Sequence, residues 1–207
     1  MGELDGPQEH AELQMSRREL LALGESFAAT GARPPDGAPI GAAHAAIVGS
    51  AHAHASITVI GPGDIRRAEV WLSPVGVVQI WQQDDDDRPA PVIGLPPDRA
   101  YALVAACTGL GRATLARPAP LDAPSGLGGL VEQMAGDGAG GAHGVVFDWT
   151  TETGQRRWIV IDLAEGRVGT LDAPAALQER VTLVPLSPMA LAGAIAGAIA
   201  DATSSPR

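Results

Sequence analysis

Two stretches of this chain, ninety residues apart, can be laid over each other residue by residue, and that duplication constrains the fold more than any single motif. Arg66-Arg67 falls on Arg156-Arg157, Val70 on Val160, Gly76 on Gly166 and Val78 on Val168, while Ile57 and Val59 fall on Phe147 and Trp149. A one-residue insertion then brings Leu95 onto Leu186 and Pro97 onto Pro188. The turn glycine and the helix-starting proline recur with the apolar positions, so the repeat goes beyond shared composition.

Each copy reads as four strands and a helix. In the first, Ile57 and Val59, Val70 and Leu72, Val78 and Ile80, and Val92 and Ile93 mark inward positions. Turns at Gly61-Pro62-Gly63-Asp64 and Pro74-Val75-Gly76 separate them. Pro96, Pro97 and Asp98 open a helix that runs to about Thr108 and stops at Gly109. In the second, strands cover Val145 to Trp149, Trp158 to Leu163, Val168 to Leu171 and Val181 to Leu186, and a helix runs from Pro188 to about Ala202. Before the first copy, Ser16-Arg17-Arg18-Glu19 is a capping box opening a helix to Ala29. A Gly/Pro break from Gly31 to Pro39 leads to a second helix, about Ile40 to Ala53. The expected fold class is α+β: two pseudo-symmetric lobes, each an antiparallel β-meander (ββββα) with helices packed on one face, preceded by two N-terminal helices. The expected division is a disordered tail over 1–15, an N-terminal lobe over 16–110, a linker with a short helix (Leu127 to Ala135) over 111–142, and a C-terminal lobe over 143–203.

Composition narrows function. Apolar residues at 45% and charged residues at 18% suit a folded globule. A net charge of -10 would repel a phosphate backbone, so nucleic acid is not an expected partner. The lone Cys107 can close no internal disulfide and reads as a core thiol. The first thirteen residues are acidic and polar where an export signal needs a basic start and an apolar run. The longest Ala/Ile/Gly stretch, Met189 to Ala200, is twelve residues against the ~20 of a membrane span. A cytoplasmic protein without membrane insertion is expected.

No nucleophile elbow, phosphate loop, paired carboxylates or zinc-hydrolase spacing survives its context, so no catalytic residue and no cofactor are assigned. Gly126 to Gly129 lacks the lysine that a phosphate loop would use. His44, His52 and His54 have no acidic or Cys partner nearby in sequence, so no metal site is assigned. The segment singled out for partner binding is Trp81-Gln82-Gln83 with the acidic run Asp84, Asp85, Asp86 and Asp87, an aromatic beside charge at a strand end.

Gly144-Val145-Val146-Phe147-Asp148-Trp149, then Gly154 to Leu163, then Val181-Thr182-Leu183-Val184-Pro185 and the Ala-rich last helix together resemble the closing pattern of the EspG family, cytosolic chaperones of type VII (ESX) secretion in actinobacteria. The resemblance extends more loosely to the capped first helix. It implies a pseudo-two-fold α/β fold that binds a helical secretion substrate of the PE/PPE or WXG type and keeps it soluble, without turnover. Two other classes stay open: an interaction or regulatory domain that forms a homodimer through a sheet edge or the Ala-rich helix, and a small-molecule binding or hydrolytic domain.

Overall fold

The computed structural model describes residues 13–31, 39–61, 64–81, 85–108, 118–135, 143–151, 154–163, 166–174, 176 and 179–203. The chain runs β1 (Leu13–Ser16), α1 (Arg17–Thr30), α2 (Ile40–Gly49), β2 (Ala53–Gly61), β3 (Asp64–Ser73), β4 (Gly76–Trp81) and β5 (Pro89–Leu95). A 3-10 turn (Pro97–Arg99) leads into α3 (Ala100–Cys107), followed by β6 (Leu121–Ala123) and α4 (Gly126–Ala135). Then come β7 (His143–Thr151), β8 (Gly154–Leu163), β9 (Gly166–Thr170), β10 (Val181–Pro185) and α5 (Pro188–Thr203). The class is α+β, on one ten-stranded sheet ordered β1-β5-β4-β3-β2-β7-β8-β9-β10-β6, with antiparallel ladders throughout. Among the described residues no helix is long and apolar enough to cross a membrane.

The ladders of the two halves share their register under the ninety-residue shift. Ala55 opposite Val70 becomes Val145 opposite Val160, and Trp71 opposite Val78 becomes Ile161 opposite Val168. With the inserted residue, Val78 opposite Gly94 becomes Val168 opposite Pro185. At the seam, β2 pairs with β7, and Ile57 stands opposite Phe147. The shift carries Ile57 onto Phe147, so the local two-fold axis of that antiparallel ladder passes through this pair.

Four details depart from the sequence reading. Instead of a sheet per lobe there is one sheet, because β2 and β7 hydrogen-bond to each other and leave no open edge at the centre. The segment 13–15, expected in a disordered tail, contributes β1, which pairs with β5. The expected linker over 111–142 contributes β6, paired with β10, and α4. Helices also lie on both faces rather than one. The cause is visible in Val70-Trp71-Leu72 and Ile159-Val160-Ile161: consecutive buried apolar residues point to opposite faces, so each face needs a cover.

One face is covered by α3 and α5. Val104, Leu191 and Ile195 pack there on Ala55, Ile57, Val70, Phe147, Trp158 and Val160. On the other face α1 and α2 close over Trp71, Val78, Ile80 and Val92, while α4 brings Leu130 onto Ile60, Val146 and Ile159. The Ser16–Glu19 capping box forms as the sequence indicates: the Glu19 amide donates to Ser16 Oγ at 3.2 Å and the Ser16 amide to Glu19 Oε2 at 3.0 Å. Gly31, at φ 62°, ends the helix in the left-handed conformation that glycine adopts without a Cβ penalty. The second helix is shorter than expected; it ends at Gly49, and Ala53 already belongs to β2.

Helices α1 and α2 approach at Gly24 and Gly49. A Cβ on Gly49 would lie 2.3 Å from the Gly24 carbonyl oxygen and 3.1 Å from the Ala28 amide nitrogen, and backbone cannot turn away as a side chain can. Gly49→Ala is therefore expected to destabilise by about 1–3 kcal/mol, the usual cost of overpacking. Urea denaturation of the variant measures it; an unchanged midpoint contradicts the close crossing.

Candidate functional site

Strand alternation gives the seam two different faces. Ala55, Ile57, Phe147 and Trp149 are buried under α3 and α5. The intervening residues, His54, Ser56 and Thr58 on β2 with Asp148 and Thr150 on β7, are half-buried or exposed on the face that carries α1, α2 and α4. Since α1 and α2 pack toward β3–β5 and α4 toward the second half, this polar strip lies between the two helical covers. Its two sides are held by charge. Arg157 Nε donates to Asp148 Oδ1, and Arg157 Nη1 donates to the Pro174 carbonyl at 3.2 Å. A cleft of about 280 Å³ opens there, lined by Asp148, Trp149, Thr150, Gln155, Arg156, Arg157 and Ala173.

On the opposite side, one chain of charges ties the acidic run to the sheet. Arg17, the first residue of α1, donates from Nε to Glu69 Oε1 at 2.8 Å and from Nη1 to Asp86 Oδ2 at 3.3 Å. The Arg18 amide donates to the Asp86 carbonyl at 3.2 Å, and Arg18 Nε lies 2.9 Å from Asp87 Oδ1. His54 Nε2 is 3.3 Å from Glu69 Oε2, and its ring stacks on Trp71 with centroids 5.1 Å apart. Glu69 is 3% exposed. Burial pushes its carboxyl up, but His54 and Arg17 outweigh that and hold it below the ordinary glutamate value. For Arg17, burial acts downward and is outweighed by Glu69 and Asp86, so its pKa lies above the ordinary one.

The partner-binding segment read from the sequence is thus divided. Gln82, Gln83 and Asp84 lie outside the described residues. Asp86 and Asp87 remain about half exposed yet already pair with the start of α1, and Asp85 shapes the turn by accepting from the Asp87 amide at 3.0 Å. Trp81 is elsewhere: it packs against the core under α3 and α5, with the Arg66 guanidinium 6.0 Å from its ring centroid. Arg66 pairs with Asp64 at 2.9 Å, so both basic doublets meet acids of their own half.

Sequence reasoning missed Arg17, Glu69 and His54 as a unit. The available signal was Glu69 itself, one acid in the apolar run Ala68 to Leu72, where a buried charge needs a counter-charge. Of the other histidines, His44 is buried on α2, its ring fits over Gly94, and desolvation lowers its pKa. Cys107 is partly buried and accepts from Gln79 Nε2 at 3.7 Å; burial raises its thiol pKa against that contact.

No family model matches the sequence, and no curated protein matches it. Among solved structures the chain is similar to the Mycobacterium tuberculosis type VII secretion system chaperone EspG5, solved in complex with a PE25-PPE41 dimer. The likeness covers 95% of this chain and 99% of that one, at 12% sequence identity and a TM-score of 0.47.

Proposed function

We propose that this chain is an EspG-like cytoplasmic secretion chaperone, which holds a helical protein of the PE/PPE or WXG type on the polar seam and releases it chemically unaltered. The observation that carries the reading is the strip itself: half-buried or exposed polar side chains on the two central strands, flanked by helices on either side among the described residues. A sheet with hydrogen-bonding side chains and charged flanks suits an elongated helical guest better than a small metabolite. The segments that resemble the family support it too. They fold as β7, β8 and β10 with α5, neighbouring parts of one half-sheet.

Co-expression with a PE/PPE-type pair, followed by size-exclusion chromatography, tests the reading. The expected result is a complex of the chain with the pair, and a guest that precipitates when expressed without it. Thr58→Arg with Thr150→Arg, both on the strip, is expected to weaken association at least about tenfold through clash and unpaired charge. For Thr150→Arg alone, at the exposed position, the thermal midpoint should hardly move, since surface substitutions cost within about 0.5 kcal/mol. Co-elution that survives both substitutions refutes the seam as the contact surface.

A further inference from the structure

On the α3/α5 face, the second half of the sheet contains a cleft. Helix α5 crosses the end of the β7–β8 hairpin and leaves about 110 Å³ lined by Trp149, Arg156 and Trp158 from the strands and by Ala194, Gly197 and Asp201 from the helix. Trp149 is 2% exposed, and its indole Nε1 finds no acceptor among the described residues. A buried tryptophan N–H ordinarily has a partner, so an orphan beside a cleft calls for one. Arg156 is the direct cross-strand neighbour of Trp149 and makes no ion pair or hydrogen bond among the described residues. Two donors, one neutral and one cationic, therefore sit side by side at the cleft.

Comparison of the halves makes this arrangement specific. Val59 and Arg66 occupy the equivalent cross-strand positions in the first half, where Val59 has no donor. Arg66 is engaged there by Asp64 at 2.9 Å and by the Trp81 ring. The helix differs as well: α3 has 8 residues and α5 has 16. Among the described residues, the duplicated frame thus carries the unpaired Trp149–Arg156 donors in its second copy.

We propose that this cleft is a binding site for a carboxylate, bound between the Trp149 indole N–H and the Arg156 guanidinium. At roughly 30 Å³ per water, the space equals three or four waters, enough for an acetate- or propionate-sized group. Ala194 and Gly197 leave that room by carrying almost no side chain. Asp201, on the helical side, repels the ligand's charge and confines the carboxylate to the Trp149–Arg156 end. The carboxylate belongs either to a free small acid or to an acidic side chain of a bound protein. The site stands independently of the chaperone reading.

The test is a titration of the full, ¹⁵N-labelled chain with sodium acetate, with sodium chloride at equal ionic strength as reference. The four tryptophans give four indole signals, and Trp149→Phe, or exclusion through the other three Trp→Phe variants, assigns that of Trp149. A saturating shift of the Trp149 signal in acetate alone is expected. Arg156→Gln should weaken it at least about tenfold, the worth of a charge-assisted hydrogen bond, and Asp201→Asn should tighten it. N-acetylglutamate amide distinguishes the sources: tighter binding than acetate assigns the carboxylate to a protein side chain, weaker binding to a free acid. A Trp149 signal that moves equally in chloride, fails to saturate, or is indifferent to Arg156→Gln overturns the proposal.

Discussion

Replacing Phe147 with Ala is expected to remove about 3–5 kcal/mol of stability, the range for deleting a buried phenyl ring. The ring is fully buried at the seam, opposite Ile57 and under α5. Its centroid lies 6.0 Å from those of both Trp149 and Trp158. The two indoles are already packed on each other, 5.2 Å apart, and the rest of the lining is Val, Ile, Leu and Ala, so the vacated space closes only if that packing is given up. Backbone ladders restrain the walls further, since β7 is hydrogen-bonded on both sides. Phe147→Leu should cost much less, because it keeps most of the volume. Urea unfolding followed by tryptophan fluorescence measures both. A drop in midpoint with unchanged slope is the expected form, and a loss under 1 kcal/mol for Phe147→Ala contradicts the packing described.

The placement of Phe147 shows how far the sequence could be read. Its apolar, period-two surroundings mark a strand, and the repeat aligns it with Ile57. That the two residues then face each other across a hydrogen-bonded seam depends on a pairing between strands about ninety residues apart, for which nothing local in the sequence gives a sign. Local signals were legible: Ser16 and Glu19 around the start of α1, Gly31 at its end, and Pro188 at the first position of α5. β1 and β6 escaped because four and three residues are too short to establish a period. Helices on both faces escaped for another reason. Runs such as Val70-Trp71-Leu72 name a doubly buried strand only once it is known which helices lie above and below. At the candidate site, the acidic run was visible as charge, whereas its ties to Arg17 and Arg18 join residues about seventy positions apart. The polar seam was hidden by the alternation that builds it, since Ser56, Thr58 and Thr150 look like ordinary solvent-facing strand positions until two helical covers leave them framed.

Glu69 carries the second large effect, and its sign can be worked out from the charges around it. Glu69→Ala leaves Arg17 and His54 facing each other over Trp71 without their shared anion, and removing one partner of a buried pair costs about 3–5 kcal/mol. Arg17 is partly open to solvent, so the lower part of that range, about 3 kcal/mol, is the expectation. Because His54 and Arg17 hold the folded-state carboxyl below its unfolded value, the folded state binds the proton less readily than the unfolded chain does. The stabilisation is therefore fully present above the unfolded value, about 4.3, and fades as pH falls through the lower folded value. Thermal midpoints of the wild type and Glu69→Gln, compared from pH 5 down to pH 3, should differ by a steady gap until about pH 4 and converge below it. Taking the difference removes the contribution of the other carboxylates, which both proteins share. A gap that widens as pH falls below 5, or no gap at pH 5, shows that Glu69 is not the anion joining β3, α1 and the acidic turn. In that case the ordered start of α1 rests on its Ser16 cap and on the contacts of Arg17 and Arg18 with Asp86 and Asp87.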